Sequence, residues 1–145
     1  MTDAEQDGFD EIVCYGAWWD CPRTGVALIG GRPHYFECNF SAELDDYPAR
    51  YELWPISEGE LAEELELWRD RLERLARAQV TGPPVERLPA HLAEVDARVL
   101  ERNSRRSPAD ALIATPEWRL DRNRSKIGRV PAHRVRWTFA ESAAG

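Results

Sequence analysis

Four side chains able to ligate a soft metal fall within one short stretch: Cys14, Cys21, His34 and Cys38. Their spacing points away from a metal centre. Cys14 and Cys21 are separated by six residues, without the short chelating loop of a structural zinc site. A free cysteine also serves readily as a small buried apolar side chain. The expectation is no metal and no cofactor. A second group, Asp20, His34, Glu37 and Asp45, has the residue types of acid–base catalysis. His34 and Glu37, however, take opposite faces of a regular strand, because successive side chains alternate. There is no nucleophile elbow, no phosphate-cradling glycine loop and no paired-histidine helix motif, so no catalytic residue is assigned and a non-enzymatic protein is expected.

The segment Trp18-Trp19-Asp20-Cys21-Pro22-Arg23 is chemically the more unusual. On extended backbone the two indoles point to opposite sides. One reading sends one indole into the core and leaves the other for a ligand or partner surface, where tryptophan is favoured. The other reading buries both between two layers. Arg23 follows the turn and can stack on an indole or pair with Asp20. Trp18, Trp19, Asp20 and Arg23 are therefore the candidate ligand- or partner-binding residues. A cationic cluster, Arg119, Arg122, Arg124, Lys126, Arg129, Arg134 and Arg136, has the types that meet phosphates. The net charge of −7 opposes a polyanion, and nucleic acid is not expected.

These groups are held by readable elements. Gly30-Gly31 is a two-residue loop of the primed-turn type, with Gly25–Ile29 on one side and Arg32–Phe40 on the other. Pairing 29 with 32 sets Ala27, His34, Phe36, Cys38 and Phe40 on one face and Val26, Leu28, Tyr35 and Glu37 on the other. Both faces are largely apolar, so both are expected to be covered. Ile12–Tyr15 reads as a first strand and Arg50–Trp54 as a further one after an acidic loop. Asp20, Pro22 and Gly25 are read as fixing the turn into the hairpin.

Ser57-Glu58-Gly59-Glu60 is a capping box. It opens a helix whose stripe is Leu61, Leu65, Trp68, Leu72 and Leu75. Glutamates crowd the first half of this helix and arginines its second, complementing its dipole, with Asp70–Arg74 and Glu73–Arg77 as surface pairs. Thr81-Gly82-Pro83-Pro84 ends it, and Leu88–Leu100 carries a second apolar stripe. Asn103–Pro108 reads as a basic loop and Ser107 as the cap of a short turn. Glu117–Leu120 and Arg134–Phe139 read as strands, the last with Val135, Trp137 and Phe139 alternating with Arg134, Arg136 and Thr138.

The resulting expectation is an α+β fold: an antiparallel β-meander sheet, extended or faced by the C-terminal strands, with two packed amphipathic helices. A disordered N-terminus over 1–10, one domain over 11–140 and a frayed tail over 141–145 complete it. The 145 residues suffice for a core without staples. No run of about 18 apolar residues is present and no export signal opens the chain, so a cytoplasmic protein with reduced thiols and no membrane association is expected. Residues 1–66 hold 16 acidic and 3 basic side chains, whereas residues 97–145 hold 5 and 11. That asymmetry is satisfied either internally or by a charged partner.

The stretch Trp19-Asp20-x-Pro22-x-x-Gly25, then Gly31-x-Pro33-x-x-Phe36-Glu37, then Leu53-Trp54-Pro55-Ile56, resembles a group of small uncharacterised bacterial proteins. They share a W-D-G-P-x-x-G segment, a G-x-P-x-x-F segment and a helix containing tryptophan. The resemblance spans roughly residues 15–75 and departs from the pattern at Cys21, where the group has glycine. It implies no activity. From charge and size, the function expected is a non-catalytic protein-binding protein, acting on a basic protein as an immunity protein acts on a toxin. The alternative is a small-molecule-binding domain or small enzyme with a pocket rimmed by the Trp18–Arg23 turn.

Overall fold

The computed structural model describes residues 9–16, 18–19, 21–81, 89–120, 126–127, 130–131 and 133–140. Among them, six strands form the body of the molecule: β1 (Asp10–Tyr15), β2 (Thr24–Ile29), β3 (Arg32–Glu37), β4 (Tyr51–Pro55), β5 (Leu112–Leu120) and β6 (His133–Phe139). Two helices, α1 (Glu58–Thr81) and α2 (Ala90–Ser104), are inserted between β4 and β5. Each strand pairs antiparallel with the next, and β6 returns to pair with β1 through Asp10–Val135 and Glu11–Arg134.

The sheet is thus a closed up-and-down barrel. The expected open meander sheet, extended or faced by the C-terminal strands, is corrected by that closing pair. Closure satisfies both edge strands at once, which an open sheet leaves as unpaired N–H and C=O groups. Both α and β content are as expected. Phe9 is buried and Asp10 begins β1. Residues 1–8 and 141–145 lie outside the described residues.

The hairpin register follows from its turn. Gly30 and Gly31 both have positive φ, 59° and 81°, the conformation a primed turn needs and glycine adopts freely. Ala27 consequently faces His34 and Gly25 faces Phe36. Phe36 in turn lies opposite Leu53, and Val135 opposite Trp118. This row forms the barrel interior, where Phe36, Tyr51, Trp118 and Trp137 pack with centroids 5.6–6.2 Å apart. A small barrel is filled by its own side chains, and here large rings do the filling.

The opposite row, Val26–Tyr35–Trp54, faces outward beneath the helices. The Trp54 indole N–H donates to the Ser107 carbonyl at 2.9 Å, and the Arg106 guanidinium stacks over Tyr35 at 5.2 Å. A register shift between Ile12 and Cys14 inserts a bulge into β1. Ile12 stays opposite lumen-facing Ala27, and Cys14 pairs with outward-facing Val26.

The capping box forms as its spacing requires. Ser57 Oγ accepts from the Glu60 N–H at 3.1 Å and Glu60 accepts from the Ser57 N–H at 2.7 Å. Trp68, on the α1 stripe, packs on Tyr15 with centroids 5.6 Å apart. Helix α2 runs to Ser104, so Asn103, expected in a basic loop, is helical. Part of the charge asymmetry is satisfied internally, between α1 and the segment that holds α2 and Arg106. Glu63 receives Arg98 at 2.8 Å and Arg102 at 2.7 Å, and Glu60 receives Arg102 at 3.0 Å and Arg106 at 3.4 Å. The arginine hydrogen bonds hold the Glu63 carboxyl below its ordinary range. Asp70–Arg74 forms within α1 at 2.8 Å.

The basic face of β6 is also occupied. Arg119 and Arg136 stack over Phe9 at 4.1 and 4.8 Å, and Arg134 donates to the Phe9 carbonyl at 3.3 Å. Arg136 further pairs with Glu117 at 2.6 Å. Three of the seven cations of the expected cluster are therefore engaged within the barrel wall. Arg122, Arg124 and Arg129 and the side chain of Lys126 lie outside the described residues.

Candidate functional site

Among the described residues, and apart from the ion pairs that join the helices, two places are candidate sites. The first is a cavity of about 480 Å³ between the helix pair and the outer wall of β1–β3. Its barrel side includes Cys14, Tyr15 and Gly16. Its helix side includes Glu64 and Trp68 from α1 and Asp96, Val99 and Asn103 from α2. Tyr15, Tyr35 and Trp68 contribute aromatic faces to it.

Gly16 brings the chain close to β2. Its N–H donates to the Thr24 carbonyl at 2.8 Å, and a Cβ there would lie 2.1 Å from Thr24 Oγ1. Its carbonyl accepts from Arg71 at 3.3 Å. Glu64 accepts a long bond from Asn103 Nδ2 at 3.4 Å. Burial raises the Glu64 carboxyl above its ordinary range, against the pull of that bond and of Arg102 and Arg106. Cys14 is buried on the same wall, and burial, reinforced by the Glu64 charge, raises its thiol well above the usual range.

The second place is the barrel end next to the Trp18–Arg23 segment. Trp18 and Trp19 pair antiparallel with Pro22 and Cys21, so the backbone reverses there as the sequence implies. The side chains of Trp18 and Trp19, and all of Asp20, lie outside the described residues. Arg23 is placed firmly. Its guanidinium stacks over Tyr47 at 4.0 Å and reaches the Tyr51 hydroxyl at 3.3 Å and Cys38 Sγ at 3.8 Å. The Tyr51 hydroxyl donates to the buried Pro22 carbonyl at 2.8 Å and lies 3.6 Å from Cys21 Sγ. Burial, with the Cys21 contact behind it, raises the Tyr51 phenol, and burial raises the Cys38 thiol against the effect of Arg23.

This cluster is a latch. Tyr51, from the first residue of β4, ties down the segment that leads from the tryptophan reversal into β2. Tyr51→Phe is expected to cost about 1–3 kcal/mol, because it strips the buried Pro22 carbonyl of its donor without changing the ring packing. The urea midpoint of the variant measures this, and an unchanged midpoint would remove the latch.

The zinc-competent residues are not gathered at one place. Cys14 faces the helix cavity, and His34 is buried with Nδ1 2.9 Å from the Arg32 carbonyl. Cys21 and Cys38 flank Tyr51. Among the described residues, no group of three or more such side chains is arranged to hold a metal. Of the acid–base set, His34 and Glu37 occupy opposite faces, Glu37 accepting from the Tyr35 hydroxyl at 2.8 Å. Asp45 sits in the 38–50 loop with φ 53°.

Sequence reasoning did not single out Glu64, Asp96 or Asn103. The charges of α1 were already accounted for by its dipole and its i,i+4 pairs, which left no residual signal for a cavity. Among the described residues no helix is long and apolar enough to cross a membrane. No family model, curated protein or solved structure matches the chain.

Proposed function

We propose that the protein is a non-catalytic binding domain for a small organic ligand, held in the cavity between the helix pair and the barrel wall. The observation that carries this reading is the cavity itself, about 480 Å³ with aromatic walls and a few convergent polar groups. That is the size and character of small-molecule sites. Among the described residues, aromatic rings occupy the barrel interior. Gly16 and Thr24 line the cavity and bracket the Trp18–Arg23 segment, which keeps that segment near the ligand. Arg23 is engaged instead by Tyr47, Tyr51 and Cys38. The fold keeps its thiols free, in keeping with a cytoplasmic setting.

The test is a thermal-shift screen of a small-molecule library, followed by calorimetry. A ligand at 100 times its Kd stabilises by about 2.7 kcal/mol, an easily measured rise in Tm. The rise should be lost in Leu100→Trp, which fills the cavity from an exposed rim position. A library that produces no shift, or a shift indifferent to Leu100→Trp, would falsify the site.

A second reading, binding of a basic protein, draws support from the loop between β3 and β4. Leu44 and Phe40 are 63% and 54% exposed there, beside the exposed acids Glu43, Asp45 and Asp46. A pull-down at low salt that depends on Leu44 and these acids, combined with silence in the ligand screen, would favour it.

A further inference from the structure

The charges on the cavity walls are not equivalent, and their differences select a class of ligand. Glu60, one turn before Glu64 on α1, and the adjacent Glu63 are paired with Arg98, Arg102 and Arg106. Glu64 has no ion pair among the described residues and only the 3.4 Å contact from Asn103. Asp96, from α2, adds a second half-buried carboxylate with no described ion pair.

The two arginines of the lining are committed differently. Arg74 is bound to Asp70 at 2.8 Å. Arg71 is exposed and bonded to the Gly16 carbonyl at 3.3 Å, which puts its charge at the solvent side. The inner walls therefore carry two carboxylates set among the rings of Tyr15, Trp68 and Tyr35. Carboxylates beside aromatic faces attract a cation twice over, by charge and by the ring quadrupole.

We propose that this cavity selects an organic ammonium ion carried on an aromatic or other apolar body, the ammonium held by Glu64 and Asp96 and the body lying against Tyr15, Trp68 and Val99. This rests on the cavity being a ligand site. An ammonium would supply the donors that Glu64 lacks and offset the unfavourable burial of its charge.

Three probes of one shape separate the possibilities: 2-phenylethylamine, 2-phenylethanol and 3-phenylpropionate, titrated by calorimetry into the full chain at pH 7. The amine is expected to bind at least about tenfold more tightly than the alcohol, the equivalent of one charge-assisted contact, with the carboxylate weakest. Glu64→Gln should erase the preference of amine over alcohol. This variant is expected to fold. Burial raises the Glu64 carboxyl, so its contribution to stability is present at low pH and lost as pH rises past the ordinary carboxylate range, and an uncharged amide at neutral pH removes a cost. Asp96→Asn serves as the second variant, with a smaller loss.

Equal or tighter binding of the alcohol or the carboxylate, with sensitivity to Leu100→Trp, overturns the ammonium assignment and keeps the ligand site. Binding of the amine that survives both Glu64→Gln and Asp96→Asn also overturns the assignment. Absence of binding by all three probes overturns the ammonium assignment, and the library screen then decides the site itself.

Discussion

Phe36→Ala is expected to destabilise the protein by about 3–5 kcal/mol. Phe36 is fully buried in the barrel lumen, with Tyr51, Trp118 and Trp137 at centroid distances of 6.1, 6.2 and 5.6 Å. Its deletion leaves a void lined by three rigid rings, each also held by its own strand, so collapse into the space is limited. A domain of this kind has roughly 5–15 kcal/mol to lose, so the variant should unfold far earlier in urea. Its near-ultraviolet dichroism should weaken even before unfolding, because the rings lose their fixed packing. Phe40→Ala is the control. The sequence assigns Phe40 to the same face as Phe36, yet it is 54% exposed and packs edge-on against Tyr47 at the rim. A cost above about 1 kcal/mol there, or below about 2 kcal/mol at Phe36, contradicts a lumen-centred core.

Gly25→Val carries the second large effect, through the backbone rather than a cavity. Gly25 lies inside β2 and not in the preceding turn, and its role is close approach. A Cβ at this position would stand 2.5 Å from the Cys14 carbonyl oxygen and 3.0 and 3.1 Å from two atoms of the Phe36 ring. The carbonyl belongs to the neighbouring strand and cannot rotate away, so β1 and β2 must separate where the bulge between Ile12 and Cys14 already distorts their register. Overpacking of this kind costs about 1–3 kcal/mol per site and more where backbone must move. We expect more than about 3 kcal/mol for valine and a smaller loss for alanine. Gly59→Ala is expected to act in the opposite direction, raising the urea midpoint, since the new methyl meets nothing nearer than 3.8 Å and alanine is the better helix former. Equal effects at Gly25 and Gly59 would mean that the strands do not approach as closely as described.

The division between what was readable and what was not follows the range of the forces involved. The Gly30-Gly31 hairpin, the Ser57–Glu60 capping box and the in–out alternation of Val135 and Trp137 with Arg134 and Arg136 are all encoded within a few residues, by φ preference, short hydrogen bonds and side-chain period. Each appears in the structure with the register its spacing demands. The cavity was illegible for a related reason. Glu64 looks like any other acid in the first half of α1, and only the placement of α2 decides that Glu60 and Glu63 meet arginines while Glu64 and Asp96 do not.

By itself, then, the sequence determined the Gly30-Gly31 hairpin, the capped start of α1 and the in–out alternation of β6, whereas the strand expected from Glu117 begins at Leu112 and the second helix runs on to Ser104. Tertiary structure alone decided that β6 returns to β1 and turns a meander into a barrel. It also decided that Phe9 lies under Arg119 and Arg136, and that Tyr51 latches the segment carrying the candidate tryptophans. These contacts join residues up to about 125 positions apart. Their partners are chosen by sheet twist, strand number and the space left under the helices, none of which leaves a local mark on the chain.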